Sequence, residues 1–201
     1  MDKLKIAIIG VGGIAGVHYS AYKKLSNVEV YALCDINEKQ LKLMAEKYGI
    51  PQERCFLDKD EMLKALPEID IVSVCTWNAA HAECTIAALN AGKDVICEKP
   101  MAMNTAQAEK MLKAAKDNGR HLQIGFVRRY GNDADVMRDL IDSVKFGEIY
   151  YAKATYLRRN GNPGGWFGDK SRSGGGPLID LGVHVIDLSR YLCGNPKPVS
   201  V

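Results

Sequence analysis

The sequence has no block of like charges and no apolar run long enough to cross a bilayer. Its 27 basic and 24 acidic residues are scattered over 201 positions and leave a formal net charge of +3. This pattern does not favour a nucleic acid or a membrane surface as a partner, so we expect a small molecule instead. The chain also begins on a strand pattern rather than on an apolar signal segment. A cytoplasmic enzyme is therefore the default expectation.

Cysteine and histidine are few and lack the paired spacings of a metal site. None of the six cysteines belongs to a C-x-x-C pair, and the four histidines lie far apart at positions 18, 81, 121 and 184. Cys34, Cys75 and Cys97 each end an apolar run, which is typical of small buried residues in a reducing compartment. We predict no metal.

Apolar runs of strand length alternate with segments of helical period in the first part of the chain. The runs are LKIAII, VEVYALC, CFL, IDIVSVC, DVICE and HLQIGF. This alternation predicts right-handed βαβ units on a parallel sheet, so the fold class is α/β, with a doubly wound Rossmann domain at residues 1–125. Asn37 and Asn104 are predicted N-caps, and Gly49 and Gly119 follow the ends of the same helices.

The segment LKIAIIGVGGIAG predicts a strand that breaks into a glycine turn and then a helix. Glycines and a small alanine let the backbone turn sharply, present its amides to a pyrophosphate and pack the helix closely on the sheet. We assign the cofactor contacts of this turn to Gly10, Gly12, Gly13, Ile14 and Ala15. The alternative, a plain tight turn, is disfavoured by the acid that follows at the expected distance.

That acid is Asp35, which ends the second apolar run about twenty residues after the turn. A carboxylate in this position accepts hydrogen bonds from both ribose hydroxyls of an adenosine and repels a 2′-phosphate. Ile36 and Asn37 supply no arginine or serine cluster that would receive such a phosphate. We therefore predict NAD rather than NADP as the cofactor.

Lys99 follows the fifth apolar run, so it is expected at the carboxyl edge of the sheet, where open α/β sheets bind ligands. Pro100 disfavours a helical backbone at Lys99, which allows the ammonium group to be aimed into the crevice. An ordinary surface lysine before a turn is the alternative, and position alone does not decide between the two.

Asp180 and His184 are four residues apart in the last predicted helix and share a face with Asp187 and Tyr191. A carboxylate one turn from an imidazole can raise its basicity, which suits proton transfer near neutral pH. A structural hydrogen bond on an amphipathic helix is the alternative. The preceding GGGP loop favours a site.

The pattern changes after residue 126. The sequence predicts a helix over residues 133–144, a long strand EIYYAKATYLRR over 148–159, a glycine-rich loop over 161–176 and a final helix over 177–192. One strand and two helices do not easily close a core of their own. Two interpretations stay open: the chain is a fragment of a longer protein, or a partner subunit covers the exposed sheet face.

Four segments carry a family resemblance: residues 10–16, TWNAAH at 76–81, EKP at 98–100 and GGGPLIDLGVHVID at 174–187. Together they resemble the Gfo/Idh/MocA family of glucose-fructose oxidoreductase and inositol dehydrogenase. The resemblance implies a Rossmann domain followed, at residues 126–201, by the beginning of an α+β substrate and oligomerisation domain with a mostly antiparallel sheet, apparently truncated. It also implies hydride transfer at a carbinol carbon of a sugar, sugar derivative or cyclitol.

The resemblance gives three residues catalytic roles. Lys99 corresponds to the family's EKP lysine, Asp180 to its acid and His184 to its proton-transfer histidine. In this interpretation His184 is the base for the hydroxyl proton, Lys99 stabilises the developing alkoxide and Asp180 orients the histidine or holds a neighbouring hydroxyl.

The resemblance also implies cofactor contacts beyond the glycine turn, in the turn at 76–81 that lines the nicotinamide ribose and in the EKP motif at 98–100. These are Thr76, Asn78, His81, Glu98 and Lys99. Trp77 stands where the family has proline, and its indole either packs against the cofactor or is buried without touching it. His81 itself is interpreted as a helix-start or turn residue rather than as a catalyst.

Substrate contacts are assigned to Lys99, Arg128, Trp166, Asp180 and His184. Arg128 and Arg129 are adjacent after the sixth run, and only one of them can point into a cleft from an extended segment.

Arg158, Arg159, Asn160, Trp166 and Phe167 combine aromatic and polar groups in the long strand and the loop after it. This combination suits either a sugar or a subunit interface, and both interpretations stay open.

The leading functional hypothesis is an NAD-dependent dehydrogenase that acts on a polyol or sugar, with a homo-oligomer formed through the second-domain sheet. Two alternatives stay open. Some relatives use the same nicotinamide to cleave glycosidic bonds, and the fold is sometimes reused for a cofactor-binding sensor or regulatory protein. The presence of Lys99, Asp180 and His184 together argues against the sensor.

Overall fold

The computed structural model describes residues 3–143, 147–157, 159, 161 and 163–201. The predicted helix end at Val144 and the predicted residues Arg158 and Asn160 lie outside the described residues. The chain divides into two compact units, Met1–Gly125 and Phe126–Val201.

The first unit is built on a six-stranded parallel sheet. Its strands are Leu4–Ile9 (β1), Val28–Cys34 (β2), Cys55–Phe56 (β3), Ile71–Val74 (β4), Asp94–Glu98 (β5) and Leu122–Gly125 (β6). The strand order is β3-β2-β1-β4-β5-β6, and every neighbouring pair is parallel. The order reverses between β1 and β4, which is where doubly wound sheets bind ligands. The predicted α/β Rossmann sheet is confirmed.

Helices connect these strands. They are Gly13–Tyr22 (α1), Glu38–Tyr48 (α2), Lys59–Ala65 (α3), His81–Asn90 (α4) and Thr105–Asp117 (α5). The Asn37 side chain caps α2 by accepting a hydrogen bond from the Gln40 amide at 3.2 Å, and Asn104 caps α5 in the same way. Gly49 ends α2 with a left-handed φ of 68°. The helix caps predicted at Asn37 and Asn104 and the helix end predicted at Gly49 are therefore confirmed.

The strands are buried on both faces, as expected for a parallel sheet covered by helices. On one face, Ile8 and Leu33 pack with Ala15 of α1 and with Leu41 and Ala45 of α2. The opposite face carries a larger cluster under α3, α4 and α5, which includes Ala7, Ile9, Val72, Val74, Met62, Leu89 and Met111. The sheet thus holds the carboxyl ends of its strands in fixed positions.

The described elements of the second unit are helices. They are a 3₁₀ turn at Val127–Tyr130, Asn132–Asp142 (α6), a 3₁₀ turn at Gly165–Gly168, Lys170–Ser173 (α7), a π turn at Leu178–Gly182 and Val183–Leu192 (α8). Two short helices therefore lie in the segment predicted as a glycine-rich loop. The predicted last helix is present, but it begins with a π turn.

The strand predicted for residues 148–159 is wrong for the part of that segment that the structure describes, since 147–157 carry no strand. Its β-branched and aromatic content favours a strand only where a neighbouring strand pairs with the backbone. Tyr150 and Leu157 are 96% and 87% exposed, so this segment has no packed face.

Candidate active site

Gly10 closes the turn after β1 against the backbone at the end of β4. Its φ is +87°, and a Cβ at this position would lie 2.8 Å from backbone atoms of Cys75 and Thr76. A side chain would therefore be both strained and in collision with another strand. The close approach of the Gly10 backbone to the backbone of Cys75 and Thr76 therefore requires glycine at position 10.

The next two glycines border open space at the start of α1. A Cβ at Gly12 or Gly13 would meet nothing within 4 Å. Helix α1 has no side-chain N-cap and no acidic residue in its first turn, while Ile14 is 40% exposed and Ala15 is fully buried. An uncapped helix N-terminus beside open glycine positions fits the pyrophosphate of a dinucleotide.

Asp35 follows β2 and already orders the glycine turn. One of its carboxylate oxygens accepts a hydrogen bond from the Val11 amide at 2.8 Å, and the other accepts one from the Asn37 amide at 2.8 Å. A carboxylate has about four acceptor positions, so two remain for ribose hydroxyls. The residue thus fits the adenosine ribose while holding the turn in shape.

The loop between β4 and α4 is tied to the proline after Lys99. His81 is 1% exposed, and its ring nitrogens lie 2.7 Å from the Pro100 carbonyl oxygen and 3.2 Å from the Thr76 carbonyl oxygen. Burial lowers the pKa of His81 by more than the two carbonyl oxygens raise it, and the neutral ring donates to one of them. Asn78 is buried and Trp77 is half-buried. His81 therefore joins two loops and offers no exposed surface to a ligand.

Lys99 follows β5 directly and is half-buried at the carboxyl edge of the sheet. Glu98 is 7% exposed, and its Oε2 accepts a hydrogen bond from the Lys99 amide at 3.2 Å. Because β5 and the glycine turn after β1 lie on either side of β4, the first unit brings Lys99 and the turn to the same edge. The assigned cofactor residues are thus gathered at one place.

His18, on α1, contacts this edge and was not predicted. Its Nε2 lies 2.8 Å from Glu98 Oε1, and its Nδ1 lies 2.8 Å from Ser73 Oγ. A lone histidine on a helix carries no sequence signal. The residue that could have revealed this contact is Glu98, because a carboxylate at the end of a buried strand requires a hydrogen-bond donor.

His18 is positively charged at neutral pH. Burial disfavours its charged form, but interactions with Cys75 and Glu98 outweigh burial and raise the pKa of His18 to about 10. His18 and Glu98 therefore form an ion pair, with side chains that are 12% and 9% exposed.

In the second unit, Asp180 and His184 lie on consecutive helical turns. Asp180 belongs to the π turn and His184 to the first turn of α8, and both are half-buried. A Cβ at Gly182 would lie 2.6 Å from Leu178 Cδ1, the end of a flexible side chain that is 71% exposed. Single π turns inside helices are frequent at functional sites.

The structure separates the two adjacent arginines. The Arg129 guanidinium makes two hydrogen bonds to Asp187, one of them from Nε at 2.7 Å, and lies 5.3 Å from the Tyr191 ring centroid. Arg128 instead donates to the Tyr156 hydroxyl at 3.2 Å. Arg129 therefore pins α8 in place, which leaves Arg128 as the substrate candidate.

Trp166 lies in the second 3₁₀ turn and stacks on Phe167 with ring centroids 3.9 Å apart. Both rings are half-buried, and Arg159 is exposed. The aromatic pair presents a flat surface of the kind that packs against a sugar ring or a protein partner.

The sheet order and the glycine turn define a dinucleotide-binding Rossmann protein. A family model described as an oxidoreductase family with an NAD-binding Rossmann fold matches residues 4–126. A second model, the GFO/IDH/MocA C-terminal domain, matches residues 135–201. The chain therefore belongs to the Gfo/Idh/MocA oxidoreductase family, whose Rossmann domain binds NAD.

Three similar proteins are named for sugar or inositol chemistry. D-glucoside 3-dehydrogenase of Escherichia coli is 42% identical over 98% of this chain and 56% of its own, and Thermotoga maritima myo-inositol 2-dehydrogenase is 30% identical over 95% and 55%. The crystal structure of aldose-aldose oxidoreductase from Caulobacter crescentus, complexed with glycerol, aligns with a TM-score of 0.83. It is 32% identical over 96% of this chain and 58% of its own.

The chain spans about half the length of the curated relatives it matches. Over the residues that the structure describes, no helix has the length and apolarity needed to cross a membrane.

Proposed function

We propose that the protein is an NAD-dependent dehydrogenase that transfers hydride between the nicotinamide and a carbinol carbon of a sugar, sugar derivative or cyclitol. The observation that carries the proposal is the placement of Lys99 at the edge of the sheet that also holds the glycine turn and Asp35. The names of the similar proteins, which act on glucosides and inositols, support this substrate class.

In this proposal the chain's own residues accept the hydroxyl proton and stabilise the charge on the carbinol oxygen. His184 accepts the hydroxyl proton, and Asp180 orients the imidazole or holds a neighbouring hydroxyl. The Lys99 ammonium stabilises negative charge that develops on the same oxygen. The bound nicotinamide supplies the hydride acceptor. Glycine-turn amides hold the pyrophosphate and Asp35 holds the adenosine ribose, the parts of the cofactor that do not react.

Arg128 and Trp166 are proposed to contact the substrate. The choice of Arg128 is supported by the engagement of Arg129 with Asp187. The stacked pair of Trp166 and Phe167 provides a flat apolar face for the C–H face of a sugar ring.

We also propose that residues 148–157 become a strand of a mostly antiparallel sheet when further strands are present. Their exposed aromatic residues and the greater length of the relatives support this. A homo-oligomer formed through that sheet is part of the same proposal. A cytoplasmic location is supported by six free cysteines.

Cofactor choice has its own test. Asp35→Ala is expected to weaken NAD binding about tenfold or more, because a hydrogen bond to a charged group is lost, and to weaken NADP binding less. Dissociation constants are measured by quenching of protein fluorescence. Asp35→Asn is the control, since it keeps one acceptor for the Val11 amide. Equal losses for both cofactors in both variants contradict the assigned preference.

The activity is tested with the complete gene product. NADH formation is followed across inositols, hexoses, amino sugars and nucleotide sugars. A dehydrogenase forms NADH in proportion to product, whereas a glycosidase that recycles its nicotinamide forms product without net NADH. NAD binding without turnover on the whole panel, unaltered by Lys99→Ala, contradicts an enzymatic role.

A further inference from the structure

A cluster of four polar side chains lies behind Lys99 in the first unit. We call His18, Tyr22, Ser73 and Glu98 the His18 cluster. Ser73 is fully buried on β4, and its hydroxyl lies 2.8 Å from His18 Nδ1 and 3.1 Å from the Tyr22 hydroxyl. His18 Nε2 lies 2.8 Å from Glu98 Oε1. Helix α1, β4 and β5 are thus joined by side-chain hydrogen bonds.

The cluster ends at the Lys99 peptide. Glu98 uses one carboxylate oxygen for His18 and the other for the Lys99 amide. Gly125 leaves room for this arrangement, since a Cβ there would approach Glu98 Oε1 to 3.2 Å. The Glu98 carboxylate therefore connects the helix that begins at the glycine turn with the backbone that carries the Lys99 ammonium.

Stability alone does not account for this ion pair. A buried ion pair offers little more stability than apolar residues of the same volume, because both charges must be removed from water. The surrounding sheet shows that apolar packing is the usual solution in this unit. What an ion pair supplies and apolar packing does not is a fixed direction for each hydrogen bond.

We propose that His18 is a positioning residue for Lys99, acting through Glu98 to hold the Lys99 peptide relative to the glycine turn. This proposal rests on the proposed function of Lys99. His18 Nε2 donates to Glu98, and the Ser73 hydroxyl either accepts from His18 Nδ1 or donates to it, so the cluster is complete with a charged or a neutral ring.

The kinetic test compares His18→Ala, His18→Gln and the exposed-histidine control His121→Ala in the complete gene product. We expect His18→Ala to lower kcat about 10- to 100-fold, with KM changed less, because a displaced catalytic group costs rate. His18→Gln keeps a donor for Glu98, so kcat returns to within about threefold of the wild type. Ser73→Ala is expected to lower kcat by a smaller factor than His18→Ala. It replaces His18→Ala in the test if that variant does not fold.

The decisive comparison is made in a Lys99→Ala background. If His18 acts through Lys99, His18→Ala lowers the residual rate there by less than about twofold. An equal loss in both backgrounds indicates a general structural effect and overturns the proposal.

A second readout needs no turnover. Acetylation of Lys99 by acetic anhydride is followed by mass spectrometry and normalised to exposed Lys116. We expect His18→Ala to raise the relative rate at Lys99 about threefold or more, because the Lys99 segment opens more readily, and His18→Gln to change it little. Unchanged labelling in His18→Ala overturns the proposal. If no substrate is turned over, the proposed function fails while this measurement still decides the role of His18.

Discussion

The two units of the chain are stabilised in different ways. Among the residues described, all but two of the buried apolar side chains belong to the first unit, the exceptions being Ala134 and Leu192. In the second unit, Arg129 makes a polar contact with Asp187, and aromatic rings lie beside the guanidinium. The first unit thus fixes its site residues through a packed sheet, and the second fixes α8 through a few directed contacts.

This difference has a functional counterpart. A rigid sheet edge suits a cofactor that many oxidoreductases share, whereas helices and loops held by few contacts suit a substrate that differs among relatives. Mutations in the first unit should therefore change stability and cofactor binding together. Mutations in the second should change rate with cofactor binding intact.

The largest expected effect tests that separation at His184. His184→Ala should lower the rate of hydride transfer about 10³-fold, because the proposed base is lost, and should leave NAD affinity unchanged. Single-turnover kinetics and fluorescence titration measure the two quantities. An unchanged rate would mean that another residue is the base. A parallel loss of NAD affinity would contradict the expectation that mutations in the second unit leave cofactor binding intact.

Gly10→Ala should show the opposite pattern in the first unit. The new methyl group meets the backbone of Cys75 and Thr76 at a positive φ, so the free energy of unfolding should fall by about 3 kcal/mol. Gly12→Ala is the matched control, since open space and a φ of −76° accommodate the methyl group.

The measurement is urea denaturation followed by Trp77 fluorescence in a Trp166→Phe background, because these are the two tryptophans of the chain. Equal destabilisation at the two glycines would contradict the assigned role of the backbone contact.

Asp187→Asn should weaken the polar contact with Arg129 in the second unit. The Asp187 side chain is 10% exposed, so losing its charge should lower the free energy of unfolding by about 1.5 kcal/mol. Trp166 fluorescence in a Trp77→Phe background reports this change. Asp142→Asn is the control, because Asp142 is 66% exposed and lies 3.9 Å from Arg138. A similar loss in the control would mean that Arg129 does not pin α8.

The last prediction concerns the pH dependence of stability at His18. Its pKa is raised from 6.5 to about 10, so its stabilisation is complete below pH 6.5 and is lost as pH rises through about 10. Relative to His18→Gln, the wild type should lose no more than about 1.4 kcal/mol per pH unit across that window. Denaturation at several pH values measures this difference. A stability advantage of the wild type over His18→Gln that stays constant or increases as pH rises would contradict the cationic state.

The first unit was largely predictable because its signals are local. All six strands lie within their predicted runs, and the end residues shift by at most a few positions, as in β4, where IDIVSVC narrows to Ile71–Val74. Apolar runs, helix caps and left-handed glycines each depend on only a few neighbouring residues, so they can be recognised in the sequence. Asp35 was also predictable, since its spacing from the turn follows from the βαβ unit.

The errors concern features that depend on distant partners. Residues 148–157 have strand-forming side chains without a described neighbouring strand. His18 and Glu98 are 80 residues apart, and only the folded sheet brings them together. The catalytic assignments of Lys99, Asp180 and His184 stay predictions until they are tested.

The contact between Asp35 and the Val11 amide has a consequence for protein engineering. The acid after the second strand is the direct target for a change of cofactor preference, because it binds the ribose. Here the same carboxylate shapes the loop that receives the pyrophosphate. A successful switch to a phosphorylated cofactor would therefore need two changes at once: a cation for the new phosphate, and a substitute acceptor that keeps the Val11 amide in place.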